Sequence, residues 1–160
     1  MRDRAHLLLL RLYQRLPTWA RRRAVRTVSP SFTVGAMCFI ERADGDLLLV
    51  RHVYRHGWGV PGGLLKRGED ADDGARREVF EEVGLVIDLL GEPSVVVDAE
   101  PQRVDVIYRA RPADGADSDA VAPGSPEIAE ARWFARDALP DLQHETVTGL
   151  MTLARSERTS

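Results

Sequence analysis

Glu78, Glu81 and Glu82 constrain this chain more than any other group of residues. They stand in a run from Asp70 to Val83 whose apolar members Ala75, Val79 and Val83 recur at helical spacing, and Gly84 follows where a helix ends on a left-handed residue. At i, i+3 and i+4 the three carboxylates project within an arc of about 100° on one helix face. Like charges so spaced oppose an isolated helix by about 0.2–0.5 kcal/mol a pair. Arg77 can pair with Glu81 at i+4, the ordinary reading as a surface ion-pair lattice, but that leaves Glu78 and Glu82 unrelieved. A hard divalent cation relieves them, because Mg²⁺ takes oxygen ligands and keeps positions open for phosphate and water.

Around this helix the pattern is mixed. Residues 6–16 read as a short amphipathic helix stopped by Pro17, and the arginine-rich stretch 20–28 as a second helix or a linker. Phe32–Ile40 and Leu47–Val50, joined by Ala43-Asp44-Gly45-Asp46, suggest a β-hairpin. Trp58 to Gly63 form a glycine-rich bend ahead of the helix. Strand-like runs follow at Leu85–Leu90, Ser94–Asp98 and Val104–Ala110; Arg111 to Pro126 read as a mobile loop, Ile128–Phe134 as a last strand and Thr146–Arg155 as a closing helix.

With 160 residues, 44% of them hydrophobic and 29% charged, the chain has the material for one enclosed core. Its single cysteine, Cys38, forms no internal disulfide and reads as a buried small hydrophobe, so a reducing cytoplasm is the expected setting. The net charge of −3 is unevenly spread: eight arginines against Asp3 leave residues 1–28 at +7, and 14 basic against 24 acidic residues leave the rest at −10. An acidic body repels a phosphate backbone, and no helix-turn-helix pattern is present, so DNA is not an expected partner. The run Leu7–Leu10 is broken by Arg11, too short to span a bilayer and poor as a signal peptide.

Extended in both directions, the glutamate helix becomes a motif. It reads Gly63, five residues, Glu69, seven residues, then Arg77-Glu78-Val79-Phe80-Glu81-Glu82-Val83-Gly84-Leu85, and this resembles the signature box of the Nudix hydrolase family at every specified position. Seven identities at residue frequencies near ~7% recur by chance at below about 10⁻⁸ per starting point. The resemblance runs over about residues 32–155, including Pro61-Gly62-Gly63 before the box and Glu127-Ile128 to Trp133-Phe134 after it. It implies an α+β fold, a mixed β-sheet between helices, with residues 1–28 as an arginine-rich helical extension and 29–160 as the hydrolase domain. The implied activity is hydrolysis of a pyrophosphate bond in a nucleoside diphosphate joined to another moiety.

The resemblance also implies roles. Glu78 and Glu82 match the main metal-ligating glutamates, Glu81 a further ligand, and the Gly63 carbonyl completes a site for Mg²⁺, with Mn²⁺ as a substitute. Glu69 pairs with Arg77 and aims the carboxylates. The catalytic set is then Glu78, Glu81, Glu82 and Glu127, with Glu78 the first choice as general base and Glu100, Asp98 and Glu130 competing with Glu127. Arg51 and Arg55 read as phosphate clamps beside the acidic site. His52 and His56 flank the same segment and stand equally for the substrate mouth or a solvated loop, and Trp58 and Trp133 read as core aromatics able to stack a base.

For the substrate, Pro101, sixteen residues after Leu85, resembles its placement in ADP-ribose-hydrolysing members. The rival readings are sanitation of modified nucleoside triphosphates and a sensor that binds nucleotide sugars without cutting them. In the extension, Leu8, Leu9, Leu12 and Leu16 form a stripe that an eleven-residue helix cannot bury alone. A homodimer interface is the expected covering, and weak contact with an anionic membrane surface the alternative.

Overall fold

The computed structural model describes Gln14, residues 16–28 and residues 31–158. The chain divides between Phe32 and Thr33 into two compact units. In the first, helix α1 (Thr18–Val28) realises the expected second helix, its opening turn made by the amides of Ala20 and Arg21 donating to the Pro17 carbonyl. The helix expected over residues 6–16, with most of its leucine stripe, lies outside the described residues apart from Gln14 and Leu16. Among the described residues, no helix is long and apolar enough to cross a membrane.

The second unit is organised around β1 (Thr33–Ile40), which has neighbours on both edges. It pairs antiparallel with the short β3 (Gly62–Leu64) and parallel with β5 (Arg103–Pro112), and β4 (Ile87–Asp98) closes the other side of β5. The four-stranded order is β3-β1-β5-β4. A separate antiparallel pair joins β2 (Leu47–His52) to β6 (Ile128–Phe134). Helix α2 (Ala71–Val83) and helix α3 (His144–Glu157) complete the mixed α+β unit.

The expected hairpin does not form. β1 and β2 follow one another across the Asp44–Gly45 turn but touch as a ladder only at the Glu41–Leu47 bridge. Both edges of β1 are occupied, and β2 pairs with β6 instead. Its unbroken apolar run then serves two cores at once, because successive side chains point to opposite faces. Leu48 and Val50 pack with Ala36, Cys38 and Ile40 of β1 and with Ala75, Val79 and Val83 of α2. Leu47 and Leu49 pack with Met37, Phe39 and Ile107 and with Leu153 of α3.

Two further expectations change. The runs 85–90 and 94–98 belong to one strand with an irregularity at Gly91-Glu92-Pro93, where Gly91 takes φ 64°. The stretch 111–126 is anchored rather than free: a 3₁₀ turn at Ser118–Ala120 accepts the Trp133 indole N–H at 2.9 Å, and the Gly124 amide donates to the Glu82 carbonyl at 2.7 Å. Ala116 and Val121 add partly buried apolar contacts with the core around α2, so even the few apolar residues of this stretch are used.

Candidate active site

Arg77 is the hub of the glutamate helix. Its Nε and Nη2 grip both oxygens of Glu69 at 2.7 and 2.9 Å, a two-pronged charge-assisted pair that ties the approach loop to α2. Its Nη1 reaches Glu78 at 2.7 Å and Glu81 at 3.1 Å. Glu78 is therefore paired, where the helical spacing alone leaves it unrelieved. The Arg77 bond, and after it the Lys66 amide, pull the Glu69 carboxyl down from 4.5 to about 2, and Glu69 in return raises the Arg77 guanidinium further. A depressed carboxyl stabilises the fold above its ordinary pKa, and that contribution fades as pH falls through the folded value. Glu69→Gln is thus expected to lower the thermal midpoint by a constant amount above pH 5, with the gap to wild type narrowing below 4.5 and closing near 2. Melting curves across that range check it, and a gap that stays constant to pH 2 contradicts the pairing.

Glu82 occupies a different environment. It is only 8% exposed, its Oε2 accepts the Gly62 amide at 3.0 Å and its Oε1 lies 3.5 Å from His52 Nε2. Burial, and after it Glu82, push the Cys38 thiol up to about 12, which leaves that cysteine an inert core residue. Gly63 makes the room beside Glu78: a Cβ there falls 2.6 Å from the Glu78 carboxyl carbon.

Gly63, Glu78, Glu82, Glu127 and Arg55 line one cleft of about 420 Å³, together with His52, Tyr54, Arg103, Gln143, Glu145 and Thr146. Glu127 sits just before β6 and accepts the Tyr54 hydroxyl at 3.2 Å, while burial and that carboxylate hold the Tyr54 phenol up, so it stays a donor. Glu81 points outward, half-exposed, to Lys66 and Arg77. Arg51 is not on the cleft wall; it pairs across the β2–β6 ladder with Glu130, whose carboxyl it lowers. Arg55 is on the wall, but Gln143 and Glu145 hold its two terminal nitrogens at 3.1 Å each. Asp98 and Glu100 belong to the β4–β5 turn, His56 is exposed, and Trp58 packs edge-on against Phe134 at 4.8 Å.

An adjoining hollow of about 480 Å³ shares Met37, Arg55, Arg103 and Glu145 with the cleft and continues over Val96, Val97, Pro101 and Ile107. A larger hollow, about 840 Å³, lies at the C-terminal ends of β1 and β5, but its arginines are engaged: Arg42 by Asp44 and Asp46, Arg111 by Asp88, Arg136 by Glu41, and Arg109 by the Leu153 carbonyl. The cleft gathers the oxygen donors instead. Its oxygen donors, the Glu78 and Glu82 carboxylates and the Gly63 carbonyl, fit a hard divalent cation in kind. Among the described residues, no three His, Cys, Asp or Glu side chains close on one point, because Arg77 draws Glu78 and Glu81 to itself.

The family model described as NUDIX domain matches residues 31–152, which takes in β1 to β6, α2 and the first part of α3. The chain belongs to the Nudix hydrolase family. A "MutT-like protein" of Streptomyces ambofaciens is 27% identical over 119 residues, 74% of each chain. A mouse "Oxidized purine nucleoside triphosphate hydrolase" is 34% identical over 87 residues, and the match spans 52% of each chain. In structure, a Nudix hydrolase from Nitrosomonas europaea superposes with a TM-score of 0.69 at 24% identity, over 82% of this chain and 75% of that one. The mixed α+β Nudix fold and a hydrolase acting on phosphoric anhydride bonds stand on these matches. Tyr54, Arg103, Gln143 and Thr146 were missed by the sequence reading; they come from three separate segments, the turn after β2, the start of β5 and the start of α3, and only the folded arrangement unites them.

Proposed function

We propose that this Nudix hydrolase cleaves the phosphoanhydride of a nucleoside phosphate, using a divalent cation held by Glu78, Glu82 and the Gly63 carbonyl, with Glu81 at its outer side. The observation that carries the reading is the pairing of two spaces, an oxygen-donor cleft and an apolar hollow that share a wall. One accepts a diphosphate with its cation, and the other a flat apolar group such as a nucleobase. The mouse relative named for nucleoside triphosphates supports nucleotides as the class. A sugar-linked diphosphate such as ADP-ribose has a separate support, since Pro101 stands on the wall of the hollow.

A bound Mg²⁺ supplies charge neutralisation of the diphosphate and acidifies a water. The chain's own residues do the rest. Arg77 keeps Glu78 Oε1 engaged, which leaves Oε2 facing the cleft both for the cation and for the proton released as water attacks phosphorus and the bridging P–O bond breaks. The Gly62 amide holds Glu82 against the bend, and Tyr54 orients Glu127 on the same wall as a second base of choice.

Product analysis over a panel of nucleoside di- and triphosphates and nucleotide sugars, with Mg²⁺ or Mn²⁺, tests the reading. Monophosphate plus inorganic pyrophosphate from triphosphates is the expected result. Two monophosphates from sugar-linked diphosphates, with triphosphates untouched, moves the substrate to the ADP-ribose class. Tight nucleotide binding with no hydrolysis under either cation makes the chain a sensor.

A further inference from the structure

Arg103 opens β5 at the boundary between the glutamate cleft and the apolar hollow, and its side chain lines both. Alternation along the strand puts Arg103, Asp105 and Ile107 on one face, opposite Gly35 and Met37 of β1. The Arg103 Nε donates to both oxygens of Asp105, at 2.8 and 2.9 Å, and Asp105 is only 7% exposed. Gly35 pairs with Asp105 across the parallel ladder, and the missing side chain there is what admits the pair. A Cβ on Gly35 falls 2.8 Å from Asp105 Oδ1 and 3.4 Å from Arg103 Nη2.

This geometry spends one nitrogen and leaves two. A guanidinium that serves only to neutralise a buried carboxylate commonly presents a two-pronged edge to it. Here Nε alone does so, and among the described residues Nη1 and Nη2 have no hydrogen-bond partner. Arg55, the other arginine on this wall, has given both of its terminal nitrogens to Gln143 and Glu145. Arg103 is therefore the arginine on the shared wall whose two terminal nitrogens both lack a partner among the described residues.

We infer that Arg103 is a substrate-binding residue whose Nη1 and Nη2 grip the phosphate joining the nucleoside, seated in the apolar hollow, to the anhydride at Glu78 and Glu82. Asp105 is the positioning residue that holds the guanidinium in place. The inference rests on the proposed reading of the cleft as the substrate site. It adds a specific anion contact that neither Arg51 nor Arg55 provides.

The test measures binding of a non-hydrolysable α,β-methylene nucleoside diphosphate, and separately of the unphosphorylated nucleoside, to the full chain by calorimetry with Mg²⁺ present. Arg103→Gln is expected to weaken the diphosphate analogue about 10- to 100-fold, the scale of charge-assisted hydrogen bonds, while nucleoside affinity holds. Arg103→Lys recovers part of the loss. In turnover the same change raises KM and leaves kcat little altered. Because Arg103→Gln strands the Asp105 charge, the pair variant Arg103→Gln with Asp105→Asn is measured beside it, with melting curves for each. Wild-type affinity for the analogue in the folded pair variant overturns the inference. So does an equal loss for the bare nucleoside, or failure of the wild type to bind the analogue. If the wild type binds the analogue, Arg103→Gln weakens it and no substrate is cleaved, the Arg103 assignment stands and the hydrolytic reading falls.

Discussion

Glu78→Gln is expected to lower turnover with Mg²⁺ by about 10²- to 10⁴-fold, the range for losing a group that holds or moves charge in the transition state. The substitution keeps size and shape. It leaves Arg77 gripping Glu69 with two nitrogens, so the loop-to-helix tie survives. Glu82→Gln is expected to act as strongly, but for a residue in a different position. Glu82 is buried, and the glutamine keeps an acceptor for the Gly62 amide while turning its NH₂ toward His52 Nε2. Removing the charge while keeping these contacts separates chemistry from folding. Glu81→Gln is the internal comparison, with a smaller effect because that carboxylate is half-exposed and faces Lys66 and Arg77. The measurements are initial rates at saturating Mg²⁺ with circular dichroism on each variant. Near-wild-type turnover in a folded Glu78→Gln or Glu82→Gln removes that residue from the catalytic set.

The burial of Glu82 also marks how far the sequence could be read. Helix α2 was legible because its signals are local: apolar spacing, a glycine stop, and charges counted along one axis. The 100° arc that groups the three carboxylates does not say how deeply each is set: Glu78 is half-buried, Glu82 buried and Glu81 exposed. At 100° per residue Glu82 lies about 20° from Ala75, at the rim of the apolar face, and Glu81 lies on the far side. What depends on partners distant in sequence was not legible. Arg51 faces Glu130 because β2 pairs with β6, while both edges of β1 are occupied. Arg103 meets the cleft because β5 runs parallel to β1 in a register that sets Asp105 beside Gly35. No periodicity within either strand encodes that register.

Gly62→Ala is expected to be the most damaging single methyl group in the fold, because it strikes backbone rather than side chain. Gly62 has φ 155°, and a Cβ built on it falls 2.2 Å from the Ala36 carbonyl oxygen and 2.9 Å from the Met37 Cα. Neither atom can rotate away. β3 must part from β1 at the Met37–Gly62 pairing, and the Gly62 amide that holds Glu82 moves with it. Overpacking against a rigid wall costs about 1–3 kcal/mol, and the strained backbone adds a comparable amount. For a unit of this size, a loss of about 3 kcal/mol lowers the midpoint by roughly 10 °C. Gly63→Ala separates the two consequences. Its new methyl group meets the Glu78 carboxylate at 2.6–2.8 Å, the far end of a flexible side chain, so the fold is expected to hold while turnover falls. Melting curves and initial rates on both variants check the pair. A Gly62→Ala protein that melts with the wild type means that β3 does not approach β1 this closely, and the seating of Glu82 against the bend fails with it.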